Sequence, residues 1–234
     1  MNTLFVTGTD TAAGKTVVSR ALLQYFARVN ISTVGYKPVA KCAIPTDAGL
    51  RNKDALLLQS ASSLSLPYEA INPVALEDDE ISISKAVPVD YQRLSTGLKQ
   101  LRAQAAKVIV EGTGGWRCLM NDLSPLSDWV VKEQLPVIMV VGIKQGCISH
   151  ALLTAQAIVN DGLSLAGWVA NRINPGLAHY AEIIQVLRAK IDAPLLGELP
   201  YLPRAEQRDL SHYLDLSLLD SGRNLHSESA KQAR

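Results

Sequence analysis

The chain has 234 residues, 47% of them hydrophobic, and its 23 basic and 22 acidic side chains leave a net charge of +1. That is enough apolar content for one substantial core, because single domains commonly reach ~250 residues, and the charge balance excludes a global field favouring nucleic acid or an anionic membrane. Cys42, Cys118 and Cys147 are odd in number and far apart, so they fit neither a disulfide framework nor a C-x-x-C metal knuckle and read as reduced packing thiols.

The first apolar run, "TLFVTG" at residues 3–8, is nearly continuous in hydrophobicity, as expected for a strand buried on both faces of a parallel sheet. It is far shorter than a signal-peptide core and no basic segment precedes it. No uncharged stretch approaches the ~20 residues that span a bilayer. The expectation is a cytoplasmic protein with neither a membrane nor a nucleic-acid partner.

"GTDTAAGKT" follows at residues 8–16 and opens a helix predicted over 15–28. Strand before and helix after is the context a phosphate-binding loop requires, with backbone N–H groups and the helix N-terminus around phosphate oxygens. Lys15 is then placed for the β and γ phosphates and Thr16 for magnesium. The common form of such a loop has four residues between its glycines; here five, 9–13, separate Gly8 from Gly14.

A second strand, "VGYKPV" (34–39), presents Lys37 near its end, where Pro38 stiffens the exit. A lysine at a strand end is as readily a solvated charge as a functional one. The polar connection over 40–53 reads as a functional loop or an edge excursion. A helix predicted over 52–62 carries Asp54 in its first turn, where the helix dipole alone would also favour an acid.

After a helix predicted over 90–106, the very apolar strand "KVIVEG" (107–112) ends on Glu111 and runs into "TGG". A carboxylate there is costly to bury unless paired or metal-bound. Helices predicted over 124–133, 148–161 and 177–190 alternate with strands "VIMVVG" (137–142), "LAGWVAN" (165–171) and "LLGELP" (195–200). The alternation implies an α/β fold with a doubly wound, mostly parallel sheet of P-loop NTPase type, whose ligand crevice lies outside the carboxyl ends of the strands. One domain over 1–220 is expected, and the polar, aperiodic segment 221–234 reads as a disordered tail.

Thr16, Asp54 and Glu111 together supply the hard oxygens that magnesium prefers, leaving positions for phosphate and water. Trp116, Trp129 and Trp168 read as packing residues. Arg117 and Lys144 read as solvent-exposed charges, and His150 as a helix-start residue without catalytic duty.

The ordered motifs "FVTGTDTAAGKT", "GYKPVA", "GLRNKDALLLQ", "VEGTGGW", "LPVIMVVG", "GCISHALLTAQ", "LAGWVAN" and "APLLGELPYLP" resemble the dethiobiotin synthetase family from Phe5 to about Leu219, and the five-residue loop spacing is that family's own. The resemblance implies an ATP- and Mg2+-dependent cyclo-ligase. In that family 7,8-diaminononanoate captures carbon dioxide on one amine as a carbamate, ATP phosphorylates the carbamate, and the second amine closes the ureido ring with release of phosphate.

The resemblance also implies roles. Lys15 and Lys37 would be catalytic, Lys37 bridging carbamate and γ phosphate. Ala12, Ala13, Gly14, Lys15, Thr16 and Val17, with Asp54 and the run Glu111, Gly112, Thr113 and Gly114, would hold Mg·ATP, the metal on Thr16, Asp54 and Glu111. Asn171 and Arg172 with Pro200, Tyr201 and Leu202 would take the adenine. Thr11, Lys37 and Lys41 would face the substrate. Gly146, Cys147, Ile148 and Ser149 would offer N–H groups to its carboxylate in the site of a neighbouring subunit, which implies a homodimer. Two residues depart from the usual pattern: Ala12 stands for a glutamate and Lys41 for a serine, making the pocket more cationic by about two charges. That marks a divergent paralogue or subfamily. Rival readings are a related ATP-dependent ligase with another acceptor, or a nucleotide switch of the partitioning ATPase type; the latter looks for a second lysine early in the loop, and residues 9–13 contain none.

Overall fold

The computed structural model describes residues 1–77 and 88–219. In chain order the elements are β1 (Thr3–Gly8), α1 (Lys15–Arg28), β2 (Thr33–Tyr36), β3 (Val39–Ala40), β4 (Ile44–Thr46), β5 (Gly49–Arg51), α2 (Lys53–Ala61), α3 (Tyr68–Ile71) and β6 (Val74–Ala75). There follow α4 (Tyr91–Gln104), β7 (Lys107–Gly115), α5 (Leu126–Lys132), β8 (Val137–Gly142), α6 (Cys147–Asn160), β9 (Leu165–Asn171), α7 (Tyr180–Lys190) and β10 (Leu195–Leu199). The expected tail over 221–234 lies outside the described residues.

Six strands form one sheet in the order β10-β9-β8-β1-β7-β2, and every pairing in it is parallel. The chain winds to one side of β1 and then crosses to the other, so the strand order reverses at β1. A crevice outside the carboxyl ends of the strands at that reversal is where such sheets bind ligands, and the phosphate loop leaves from the end of β1.

Helices cover both faces, which is why the strands are apolar throughout. From Ile138 to Val141 the side chains of β8 alternate: Met139 and Val141 pack with Ala151, Trp168, Ile184 and Leu187 beside α6 and α7, whereas Ile138 and Val140 join the larger core with Leu22, Val108 and Val110. Fully burying one such aliphatic side chain stabilises the fold by roughly 1.5–3 kcal/mol. At Gly35 in β2 an added Cβ would lie 2.8 Å from Leu58 Cβ. Only glycine lets α2, which carries Asp54, approach the sheet this closely.

Some boundaries differ from expectation for local reasons. The strand predicted over 34–39 divides, because Lys37 and Pro38 fall between β2 and β3, and β3 pairs with β6 instead of extending the main sheet. The polar connection over 40–53 contains an exposed antiparallel pair, β4 with β5. The seventh helix starts at Tyr180 and not at residue 177, since His179 adopts a left-handed conformation with φ of +58°. The short helix α3 carries too few residues for a helical period to be legible.

Candidate active site

The phosphate loop is shaped by Gly14, which starts α1 with φ of +93°. An added Cβ there would come within 2.0 Å of Asn171 Nδ2, so this position is closed to other residues on two grounds. Asn171, ending β9, donates from Nδ2 to the Ala13 carbonyl at 2.9 Å. Asp10 accepts the Ala12 N–H at 2.8 Å through Oδ1, and its other oxygen pairs with Lys144. Lys15 is buried, and its ammonium donates to the carbonyls of Asp10 and Thr11 at 3.1 and 3.2 Å. Burial, joined by the charge of Lys37, pushes that ammonium down to about 8 against the opposing pull of Glu111, Asp54 and Asp10.

Across the crevice, Lys37 and Glu111 are 3% and 0% exposed. The Lys37 ammonium donates to Glu111 Oε1 at 2.7 Å and to the Gly112 carbonyl at 2.8 Å, and it stands 3.9 Å from Asp54 Oδ2. Thr16 Oγ1 donates to the same Glu111 oxygen at 2.8 Å. The burial of Lys37 and its pairing with Glu111 remove the reading of a solvated charge. Thr16 and Lys37 thus share one Glu111 oxygen, and Asp54, distant in sequence from both, stands beside the same ammonium.

The donor set fits a hard divalent cation. Three oxygens from a hydroxyl and two carboxylates are what magnesium takes from protein when phosphates and water complete its shell. Glu111 Oε2 is buried without a hydrogen-bond partner, which is costly for a carboxylate oxygen unless a cation meets it. Among the described residues no group of three or more His, Cys, Asp or Glu side chains that could hold a metal ion is present.

Sequence reasoning missed the residues that hold Lys37 and Asp54 in place. Asn72 Nδ2 donates to the Lys37 carbonyl at 2.6 Å, and the Lys37 N–H donates to the Ile71 carbonyl at 2.8 Å. The Tyr68 hydroxyl donates to Asn72 Oδ1 at 2.9 Å and accepts the Asn52 N–H at 2.8 Å. Asn52 caps α2, accepting the Ala55 N–H at 3.1 Å, and donates to the Lys41 carbonyl at 2.8 Å. One chain of hydrogen bonds thus joins the Lys37 strand end to the helix bearing Asp54. The only signal in the sequence was an Asn just ahead of a helix, a usual cap.

A cavity of about 840 Å3 opens over these groups. Thr11, Ala12, Gly14, Lys15, Thr16, Val17, Lys37, Lys41, Asp54, Thr113 and Gly114 all line it. Ala13 is buried beneath the loop. Asn171, Arg172, Pro200, Tyr201 and Leu202 lie beyond its lining, on the β9 and β10 side, where the Arg172 N–H donates to the Leu199 carbonyl at 2.9 Å and its guanidinium rests over the Tyr180 ring at 4.8 Å. Gly146, Cys147, Ile148 and Ser149 are also outside this cavity; Cys147 is a core residue packed near Trp168.

Two basic residues read as merely solvated are in ion pairs. Arg117 Nη2 donates to Asp161 Oδ1 at 2.7 Å, and Lys144 meets Asp10. Local sequence could not show either, because the partners are distant in the chain. Lys41, the unusual cation, donates from Nζ to the Leu119 carbonyl at 3.0 Å. Trp116, Trp129 and Trp168 are buried as expected, and His150 is exposed.

A family model described as an AAA domain matches residues 2–208. The chain is 68% identical over 217 residues to ATP-dependent dethiobiotin synthetase BioD 2 of Salmonella typhimurium, covering 93% of this chain and 94% of that protein. It is 66% identical over 217 residues to the protein of the same name from Escherichia coli K12, with the same coverage. It is 51% identical over 223 residues to ATP-dependent dethiobiotin synthetase BioD of Vibrio parahaemolyticus, covering 94% and 98%. Among solved structures, the MinD cell division protein of Aquifex aeolicus matches with a TM-score of 0.55 over 97% of both chains at 12% identity, a likeness of fold alone.

Proposed function

The chain belongs to the ATP-dependent dethiobiotin synthetase family and is an ATP-dependent cyclo-ligase that forms dethiobiotin in biotin biosynthesis; from that premise we propose how its own residues carry the reaction. The observation that carries the proposal is the meeting of Lys37 and Thr16 on the buried Glu111 carboxylate, with Lys37, Thr16 and Lys15 lining one cavity.

The substrate class is 7,8-diaminononanoate with carbon dioxide. One amine nitrogen bonds to the carbon of carbon dioxide and loses a proton, giving a carbamate. A carbamate oxygen then attacks the γ phosphorus of ATP, and the bond to the leaving ADP oxygen breaks. The second amine attacks the carbonyl carbon of this carbamic-phosphoric anhydride, and phosphate departs with the carbamate oxygen as the ring closes. Phosphoryl transfer of this kind depends on positioning and charge. Lys37, released from Glu111, supplies N–H donors to the carbamate and γ-phosphate oxygens, and Lys15 supplies them to the β and γ phosphates. Thr16, Asp54 and Glu111 would hold Mg2+, which neutralises phosphate charge when bound.

Ala12, Ala13, Gly14 and Val17 form the phosphate cradle with Gly112, Thr113 and Gly114 opposite, while Thr11 and Lys41 face the diamine. Asn171, Arg172, Pro200, Tyr201 and Leu202 take the adenine, an arrangement supported by their position on the far side of the phosphate loop. Two copies form a homodimer in which residues 146–149 of one serve the carboxylate of the substrate in the other. Support comes from α6, whose N-terminal turn lies outside its own cavity and whose Val159 is 58% exposed. Cys42, Cys118 and Cys147 form no disulfide, which suits the reducing cytoplasm. Among the described residues no helix is long and apolar enough to cross a membrane.

The test incubates protein with diaminononanoate, bicarbonate, ATP and Mg2+, with product read by mass spectrometry. Dethiobiotin should form, and should vanish when Mg2+ is chelated or in Lys37→Ala. Product at equal rate in either control would remove the assigned roles.

A further inference from the structure

Asp161 lies outside the cavity, directly after α6, yet it holds the turn that follows Glu111. Its Oδ2 accepts the Trp116 indole N–H at 2.8 Å, and its Oδ1 accepts Arg117 Nη2 at 2.7 Å. The two donors are neighbours in the segment Thr113–Cys118 that lines one wall of the cavity, and α6 supplies Leu153, Thr154 and Ala157 to another part of the lining. One carboxylate therefore joins two walls that are 44 and 45 residues apart in the chain.

The joint is a specific one. The Asp161 side chain is 18% exposed and that of Arg117 is 53% exposed, so the ion pair on its own is worth little at this surface. The paired acceptance fixes orientation instead. Trp116 is 5% exposed and meets Phe5 of β1 edge-on, ring centroids 6.1 Å apart at 75°. Its ring is thereby pinned at one end by packing and at the other by Asp161. Burial alone would raise the Asp161 carboxyl, but the hydrogen bonds from Arg117 and Trp116, with the Arg117 charge, hold it below the usual carboxylate range.

We propose that Asp161 is a positioning residue: by clasping Trp116 and Arg117 it sets the cavity wall that runs on to Leu119, whose carbonyl holds the Lys41 ammonium, and thereby the place of the diamine beside Lys41 and Lys37. The inference rests on the cavity taking the diamine, as described above. Its consequence is selective. The phosphate loop, Lys15 and Asn171 are held by other contacts, and Thr113 and Gly114 by their place in β7, ahead of the clasped residues, so nucleotide affinity is independent of the clasp, whereas diamine affinity depends on it.

The experiment measures KM and kcat for diaminononanoate and KM for ATP in wild type, Asp161→Asn, Arg117→Met and the double variant. Thermal midpoints and calorimetric ATP affinity are recorded alongside. Each single variant should raise the diamine KM by about five- to tenfold while kcat and the ATP KM stay within about twofold. The double variant should exceed the worse single by little, because the two act through one contact. If Asp161→Asn fails to fold, Arg117→Met leaves the Trp116 contact in place and carries the test. An unchanged diamine KM in a folded variant overturns the proposal. An equal rise in both KM values also overturns it, as general loosening. Absence of dethiobiotin with the wild-type protein would instead sink the underlying reaction, a distinguishable failure.

Discussion

Lys37 Nζ and Glu111 Oε1 stand 2.7 Å apart where almost no solvent reaches either side chain. Breaking a buried pair by removing one partner typically costs about 3–5 kcal/mol, since the other charge is left uncompensated. Lys37→Met should therefore lower stability in the absence of nucleotide, read by urea denaturation, and Mg2+ should recover more of the loss than in wild type by taking over Glu111. Turnover should fall by about 100-fold or more at saturating ATP. Full activity in this variant would show that Lys37 serves only the fold.

With its ammonium pushed down to about 8 by burial, Lys15 should make nucleotide binding pH-dependent. Near pH 8 the free protein carries Lys15 partly neutral, and an arriving triphosphate favours the charged form. ATP binding at pH 8.5 should take up protons, seen as a heat that varies with the ionisation enthalpy of the buffer, and Lys15→Gln should abolish that uptake. The linkage sign follows from a folded value below the ordinary 10.5. Between those two values the unfolded chain binds more protons, so the Lys15 contribution to stability rises with pH across the window and is least favourable below about 8.

Gly14 and Asn171 lock the loop to β9. Gly14→Ala places a Cβ 2.0 Å from Asn171 Nδ2 at a backbone φ of +93°. Loss of ATP binding is expected, with a destabilisation of about 1–3 kcal/mol from the backbone strain and more from the clash. Adding Asn171→Ala should relieve the clash but not the strain, so partial recovery of stability in the double variant is the predicted signature. No recovery would mean that the backbone alone dictates glycine.

Tyr68→Phe removes one oxygen and leaves the Asn52 N–H and Asn72 Oδ1 without the partner each now has. A buried polar group left unsatisfied costs about 1–3 kcal/mol. The variant should be less stable by that order and should need more Mg2+ for half-maximal turnover, because the helix bearing Asp54 loses its tie to the Lys37 strand. A normal Mg2+ requirement would confine the network to structure.

Much of the fold is legible in the sequence. Runs such as "VIMVVG" and "LAGWVAN" coincide with β8 and β9, because a strand buried on both faces writes its apolarity into every residue. The phosphate loop was legible for a different reason: its glycines and Lys15 act through local backbone geometry. The convergence of Thr16, Asp54 and Glu111 could be suspected from residue type and strand ends. Residues acting at long range were silent. Asp161, Asn72 and Lys144 form contacts that depend on how distant segments meet, and neither periodicity nor spacing encodes that. Tyr68 was hidden too, in a helix of one turn.

The central claim is that phosphate leaves bearing an oxygen that came from carbon dioxide. Bicarbonate labelled with 18O, mixed with diaminononanoate and Mg·ATP for a time short against exchange with water, should deliver label to the inorganic phosphate as well as to the ureido carbonyl. Phosphate free of label, with labelled dethiobiotin beside it, would contradict the carbamate route and the task assigned to Lys37.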